Sequence, residues 1–223
     1  KRLKELNKPI VCTYHGQDLR TRGVIPKIDQ FAALNLTSEL DLLKKHPNIN
    51  YLYLPFDTKQ FSPSYQLNKP IKVCHSPTSR HYKGSNTIIP ICEKLAAEGK
   101  IEFKLIENMS HKKALKLKSE CDIFIDQVHN RGGWGYGMNS IEALSMGLCC
   151  LTELIPEYVE FIPDHPFINI NGENLYSTLI EILDNPQKIH HHKKMGREWV
   201  VNKHDLTYTA EKLYEFYREK SWL

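Results

Sequence analysis

Long apolar runs are missing from these 223 residues. The most apolar stretches, such as Ile123–Ile125 and Leu148–Leu151, fall far short of the roughly 20 residues that a membrane-spanning helix needs. No Cys-x-x-Cys spacing occurs among the six cysteines, which lie scattered in apolar contexts. A zinc site or disulfide framework is therefore not expected; reduced, buried thiols are, and with them a cytoplasmic location. Excess charge is scarce as well: the formal net charge is +4, with bases and acids interspersed. That balance argues against a nucleic-acid partner. It leaves anionic small molecules open, and anionic lipid head groups at a peripheral membrane contact. The charged opening, Lys1–Lys8, runs into an apolar segment at Ile10–Tyr14 with no signal-peptide core, and without an initial Met the chain reads as part of a longer one.

What is present is an alternation of short β-branched or apolar runs with longer segments of helical period. This is the pattern of a parallel sheet covered by helices on both faces, hence an α/β, Rossmann-like, doubly wound fold. Strands are predicted at Ile10–Tyr14, Ala33–Leu36, Tyr51–Leu54, Ile71–His75, Ile101–Ile106, Asp122–Asp126, Leu148–Leu151 and Pro166–Asn169. Helices are predicted at Ser85–Glu98, Ser110–Ser119, Met138–Met146, Glu173–Leu183, Pro186–Asn202 and Leu206–Lys220. Pro55, Asp57, Ser62, Pro63 and Asn68 interrupt the periodicity, so a domain seam is placed at residues 55–69. Residues 1–54 then form the end of one domain, with too few strands to close a sheet without further strands or a partner chain. Residues 70–223 form a second domain, closed by the last helices.

Ligands of open parallel sheets bind beyond the carboxyl ends of the strands, so residues just after each strand carry the chemistry. After Ile71–His75 comes Ser76-Pro-Thr-Ser-Arg80-His-Tyr-Lys83-Gly84, two cations in a loop entering a helix. Such a loop suits a phosphate, or is simply an exposed basic turn. After Asp122–Asp126, four glycines fall within residues 132–137, followed by Met138 and Glu142. Their backbone can approach a ligand closely, or the loop is merely flexible; Glu142 either caps the helix or accepts bonds from a vicinal diol. After Ile10–Tyr14 stand His15, Gly16 and Asp18, suited to acid–base work or to orienting a hydroxyl, or else a structural histidine turn.

The run Gly133-Trp-Gly-Tyr-Gly-Met-Asn-Ser-Ile-Glu142-Ala-Leu-Ser-Met-Gly147 resembles the donor-site signature of the retaining "group 1" glycosyltransferases of GT-B architecture. Lys83-Gly84 is similar to that family's Lys-Gly turn, Tyr14-His-Gly-Gln-Asp-Leu-Arg20 to its His-Gly-Ser/Thr-Asp segment, and Leu54-Pro-Phe-Asp57-Thr-Lys-Gln-Phe61 to its interdomain linker. The resemblance spans nearly the whole chain, in family order. It implies the C-terminal, donor-binding half of a GT-B enzyme together with the end of its acceptor-side domain. The implied substrate is a nucleotide-diphosphate sugar, with no cofactor and no metal, and the implied acceptor a saccharide or lipid-linked molecule. Catalytic roles fall to His15, Lys83 and Glu142. Donor contacts fall to Arg80, Lys83, Trp134, Gly135, Tyr136, Gly137, Met138 and Glu142, and acceptor-side contacts to His15, Gly16 and Asp18. Two positions depart from the family: Trp134 stands where a first Glu is usual, and Thr78 where an Arg is usual, with Arg80 as the substitute. Two other readings stay open: a non-catalytic nucleotide-sugar-binding subunit that needs a partner chain, which the short first domain and Trp134 both favour, and a GT-B nucleotide-sugar epimerase. Glu107, at a strand end, reads as a solvated loop acid in preference to a contact for the base, His190–His192 as a solvated helix face, and the stripe Tyr208, Leu213, Tyr214 and Tyr217 as packing.

Overall fold

A computed structural model of the chain describes residues 5, 6, 8–131 and 135–223. Trp134 lies outside the described residues. The chain divides into two compact units. The first takes the described part of Lys1–Pro55 together with Thr207–Leu223, and the second takes Phe56–Leu206.

The first unit is built on strands β1 (Val11–Tyr14), β2 (Leu34–Thr37) and β3 (Ile49–Tyr51), all parallel and in that order, with a π-helical turn (Asp18–Arg22) and a short helix, α1 (Pro26–Asp29), between the first two. β3 is shorter and earlier than expected, because Leu52–Pro55 leaves the ladder after one last bond from Leu52 N to Thr37 O.

The second unit alternates strand and helix. In chain order it contains β4 (Ile71–His75), α2 (Arg80–Lys83), α3 (Ser85–Ala97), β5 (Ile101–Leu105), α4 (His111–Ser119), β6 (Ile123–Ile125) and α5 (Met138–Ser145). These are followed by β7 (Cys149–Thr152), α6 (Pro156–Phe161), β8 (Ile168–Asn169), α7 (Leu175–Asp184) and α8 (Pro186–His204). α6 is not signalled by any long periodic run. The five strands are parallel in the order β5-β4-β6-β7-β8. Because helices cover both faces, the central strands are buried on both sides and read as continuous apolar runs. Val73, Ile123, Ile125 and Leu151 from the sheet pack with Ile88 and Leu95 of α3 and Leu179 of α7.

The seam is not slack. Asp57 Oδ1 accepts from Lys59 N at 3.1 Å and starts a turn at Thr58–Gln60; Thr58 donates to Asp205 at 2.6 Å, and Phe56 N to His204 O at 2.8 Å. The final helix, α9 (Leu206–Glu219), was expected to close the second domain, but from Thr207 onward it groups with the first. Tyr208 of the expected stripe, together with Phe216, lines a cleft with Tyr51 and Tyr53, whereas Tyr214 of that stripe is exposed.

All six cysteines are free thiols, five of them buried. Burial raises the thiols of Cys92 and Cys149 to about 12, which leaves them unreactive packing groups. No helix among the described residues is long and apolar enough to cross a membrane.

Candidate functional site

The connection leaving β4 runs to β5 on one side and the connection leaving β6 runs to β7 on the other, so a crevice opens between the carboxyl ends of β4 and β6. His75 and Ile125 are register partners at those ends, which puts the turn carrying Lys83 and the turn ahead of Glu142 on the same edge. The turns are joined directly, with Val128 N donating to Lys83 O at 3.3 Å. Gly84 makes the approach possible. It sits at φ +67°, and a Cβ there would lie 2.5 Å from Val128 O, closer than any side chain tolerates. Beneath it, His75 is buried; its Nδ1 donates to Ile125 O and its Nε2 accepts from Ser85 Oγ, both at 2.8 Å. Burial lowers the His75 pKa, in keeping with a neutral ring.

A cavity of about 870 Å³ opens at this edge, lined by Ser76, Thr78 and Arg80 after β4, Glu107 and Met109 after β5, His111 and Lys118 of α4, and Met138, Asn139 and Glu142 of α5. Glu142 is buried one turn inside α5, with Oε1 2.8 Å from His111 Nε2 and Oε2 accepting from Lys118 Nζ at 2.6 Å. It is not a cap. Asn139 bridges Lys118 Nζ and Ser76 O, tying α4, α5 and the β4 turn together. At the mouth, Arg80 grips Glu107 bidentately, Nε to Oε2 at 2.9 Å and Nη2 to Oε1 at 2.5 Å. This hydrogen bonding holds the Glu107 carboxyl below its ordinary range. Glu107 is therefore a paired cavity acid, not the solvated loop residue expected.

The structure separates other residues that the sequence grouped. Lys83 does not line the cavity: its ammonium lies 2.5 Å from the buried Asp126 and 3.1 Å from Gln127 Oε1, while Ser140 Oγ donates to the other Asp126 oxygen at 2.7 Å. Gly135 is buried against α6, where a Cβ would meet the Tyr158 ring at 2.7 Å, and its carbonyl accepts from Gln127 at 2.6 Å. Tyr136 is half-buried in an aromatic cluster with Phe167 and Trp199, its hydroxyl 3.0 Å from His204 Nε2. Gly137 is the N-cap of α5, and of the glycine-turn residues described, Met138 alone lines the cavity. His15, Gly16 and Asp18 belong to the first unit. There, Asp18 Oδ2 accepts from His15 N at 3.0 Å and the His15 ring is exposed.

Lys118 escaped the sequence reading because α4 carries four lysines and reads as solvated. The signal was its place four residues after Ala114, on the helix face turned inward. Lys193 escaped for the same reason. It follows His190–His192 in a run expected to be solvent-facing, yet it is buried against Asp122 at 3.3 Å, while His192 Nδ1 donates to Pro166 O at 2.9 Å. Among the described residues no group of three or more His, Cys, Asp or Glu is arranged to hold a metal ion.

No protein family's sequence profile matches the chain, and no curated protein matches it in sequence. Solved structures do match in fold. The crystal structure of Anabaena HepE in complex with UDP and glucose shares 12% identity over 96% of this chain and 72% of that one, with a TM-score of 0.71. Sucrose-phosphate synthase from Thermosynechococcus elongatus shares 15% identity over 97% of this chain and 70% of its own, at 0.64. A variant of S. aureus TarM, in complex with Fondaparinux, α-GlcNAc-glycerol and UDP, shares 13% over 93% and 50%, also at 0.64. The chain has the α/β fold of the GT-B glycosyltransferases, with Rossmann-like parallel sheets.

Proposed function

We propose that this chain carries the donor-binding part of a cytoplasmic glycosyltransferase that moves a sugar from a nucleoside-diphosphate sugar to a saccharide or lipid-linked acceptor, with retention and without a metal. The observation that carries the reading is Glu142. It is a buried carboxylate facing a crevice at the topological switch point, in a cavity of about 870 Å³ that is large enough for a nucleotide. HepE and TarM, similar in fold, were solved with UDP bound.

In this reading Glu142 accepts the ribose hydroxyls, and Arg80 exchanges Glu107 for the diphosphate. Together with the α5 N-terminus, Arg80 then stabilises charge on the leaving diphosphate as the glycosidic bond breaks. With Lys83 held by Asp126, the side-chain cations at the cavity are Arg80 and Lys118, and Lys83 braces the turn from behind. His15 and Asp18 are assigned to the acceptor side by the motif resemblance.

Calorimetric titration with UDP, GDP and ADP tests the site. One of them binds, and Arg80→Ala weakens the diphosphate about three- to tenfold while affecting the monophosphate less. Failure of all three to bind overturns the reading. Product analysis with the matching nucleotide sugar then separates transfer from epimerisation and from binding alone.

A further inference from the structure

Glu142 does not stand alone in the cavity wall. Lys118 reaches it from α4 with 1% of its side chain exposed. The ammonium lies 2.6 Å from Glu142 Oε2, bonds Asn139 Oδ1, and sits 5.0 Å from the centre of the Phe124 ring. His111, whose side chain is 73% exposed, meets the other oxygen at 2.8 Å. An ionised carboxylate offers about four acceptor positions, two per oxygen. The ammonium and the imidazole occupy one on each, so one on each is left on a residue that lines the cavity, and two neighbouring hydroxyls require two such acceptors.

We propose that Lys118 is the positioning residue that orients Glu142 for the cis-diol of a ribonucleotide, and so makes the site choose ribose over 2′-deoxyribose. The proposal rests on the nucleotide-binding reading given above. Nearly all of the Lys118 surface is covered, so its effect on a ligand passes through Glu142. Removing the ammonium frees the carboxylate to rotate and leaves its charge uncompensated, whereas Arg80, the cation assigned to the diphosphate, is untouched.

The test compares the binding of UDP, GDP and ADP with that of their 2′-deoxy counterparts. The wild-type chain prefers the ribose form by about tenfold or more, the size expected of hydrogen bonds to a charged group. In Lys118→Met the preference collapses to about threefold or less while 2′-deoxy affinity changes little. Lys118→Arg, which keeps the charge, retains most of the preference. Should Lys118→Met not fold, Lys118→Gln replaces it, with the same loss expected. If ribose and deoxyribose affinities fall together with their ratio intact, the lysine is only structural and the proposal is overturned while the site stands. If the wild type binds no ribonucleotide, the site reading fails and the proposal with it.

Discussion

Two lysines are buried at opposite ends of one sheet, each with about the same exposure and each against a buried carboxylate: Lys118 with Glu142, and Lys193 with Asp122. The surroundings of the two acids differ. Asp122, at the amino end of β6, also accepts from the backbone N–H groups of Asn68 and Lys72 and from Asn68 Nδ2. Its lone pairs are taken up by main-chain N–H groups that must be held in place, by the Asn68 amide and by Lys193, and it fastens the end of the interdomain segment to the sheet. Glu142, at the carboxyl end, is met among the described residues by the side chains of His111 and Lys118, and it lines a cavity with acceptor capacity to spare. Burial of an ion pair does not by itself reveal its purpose. What the remaining lone pairs face does.

The comparison breaks first on stability. Lys193→Met leaves Asp122 buried with no counter-charge, so unfolding in denaturant should lose about 3 kcal/mol, the lower end for a broken buried pair because the three other donors to Asp122 remain. Nucleotide affinity should not change. A Lys193→Met chain that keeps its stability but loses nucleotide binding would reverse the assignment of the two ends.

Glu142→Gln sharpens the other side. Turnover of the nucleotide-sugar donor should fall about tenfold or more, roughly 1.4 kcal/mol in the barrier; wild-type rates would remove Glu142 from the site. The smallest effect is that of pH. Burial depresses the pKa of His75 from 6.5, and burial does the same to His165 and His192. The unfolded chain therefore binds these protons first. Stability is fully present above about 6.5 and is lost progressively as pH falls below it. Thermal melts between pH 8 and 5 should show that decline, and His75→Gln should flatten it; an unchanged slope in that variant would take His75 out of the linkage.

Much of the fold was legible because its signals are local. The strand at Ile71–His75 and the helix starting at Met138 follow from runs of apolar residues and from the glycines ahead of them. The placement of Glu142 beside a cavity follows from its position one turn into that helix. Lys83 was misleading. A cation in a turn before a helix suits a phosphate, but the buried Asp126 competes for it, and Asp126 reads as an ordinary strand-end acid until the turns are brought together. Glu107 hides in the same way, since its partner Arg80 is 27 residues away.

The amino-acid sequence by itself determined the alternation of strands with the longer helices, the parallel α/β class and the two turns that flank the crevice, because periodicity and glycine placement act within a few residues. Only the tertiary structure decided which lysines lose their water and which acids they meet. Lys118 and Glu142 are 24 residues apart, and Lys193 and Asp122 are 71. A charge is stable in the interior only when its partner arrives with it, and that depends on packing between elements distant in the chain.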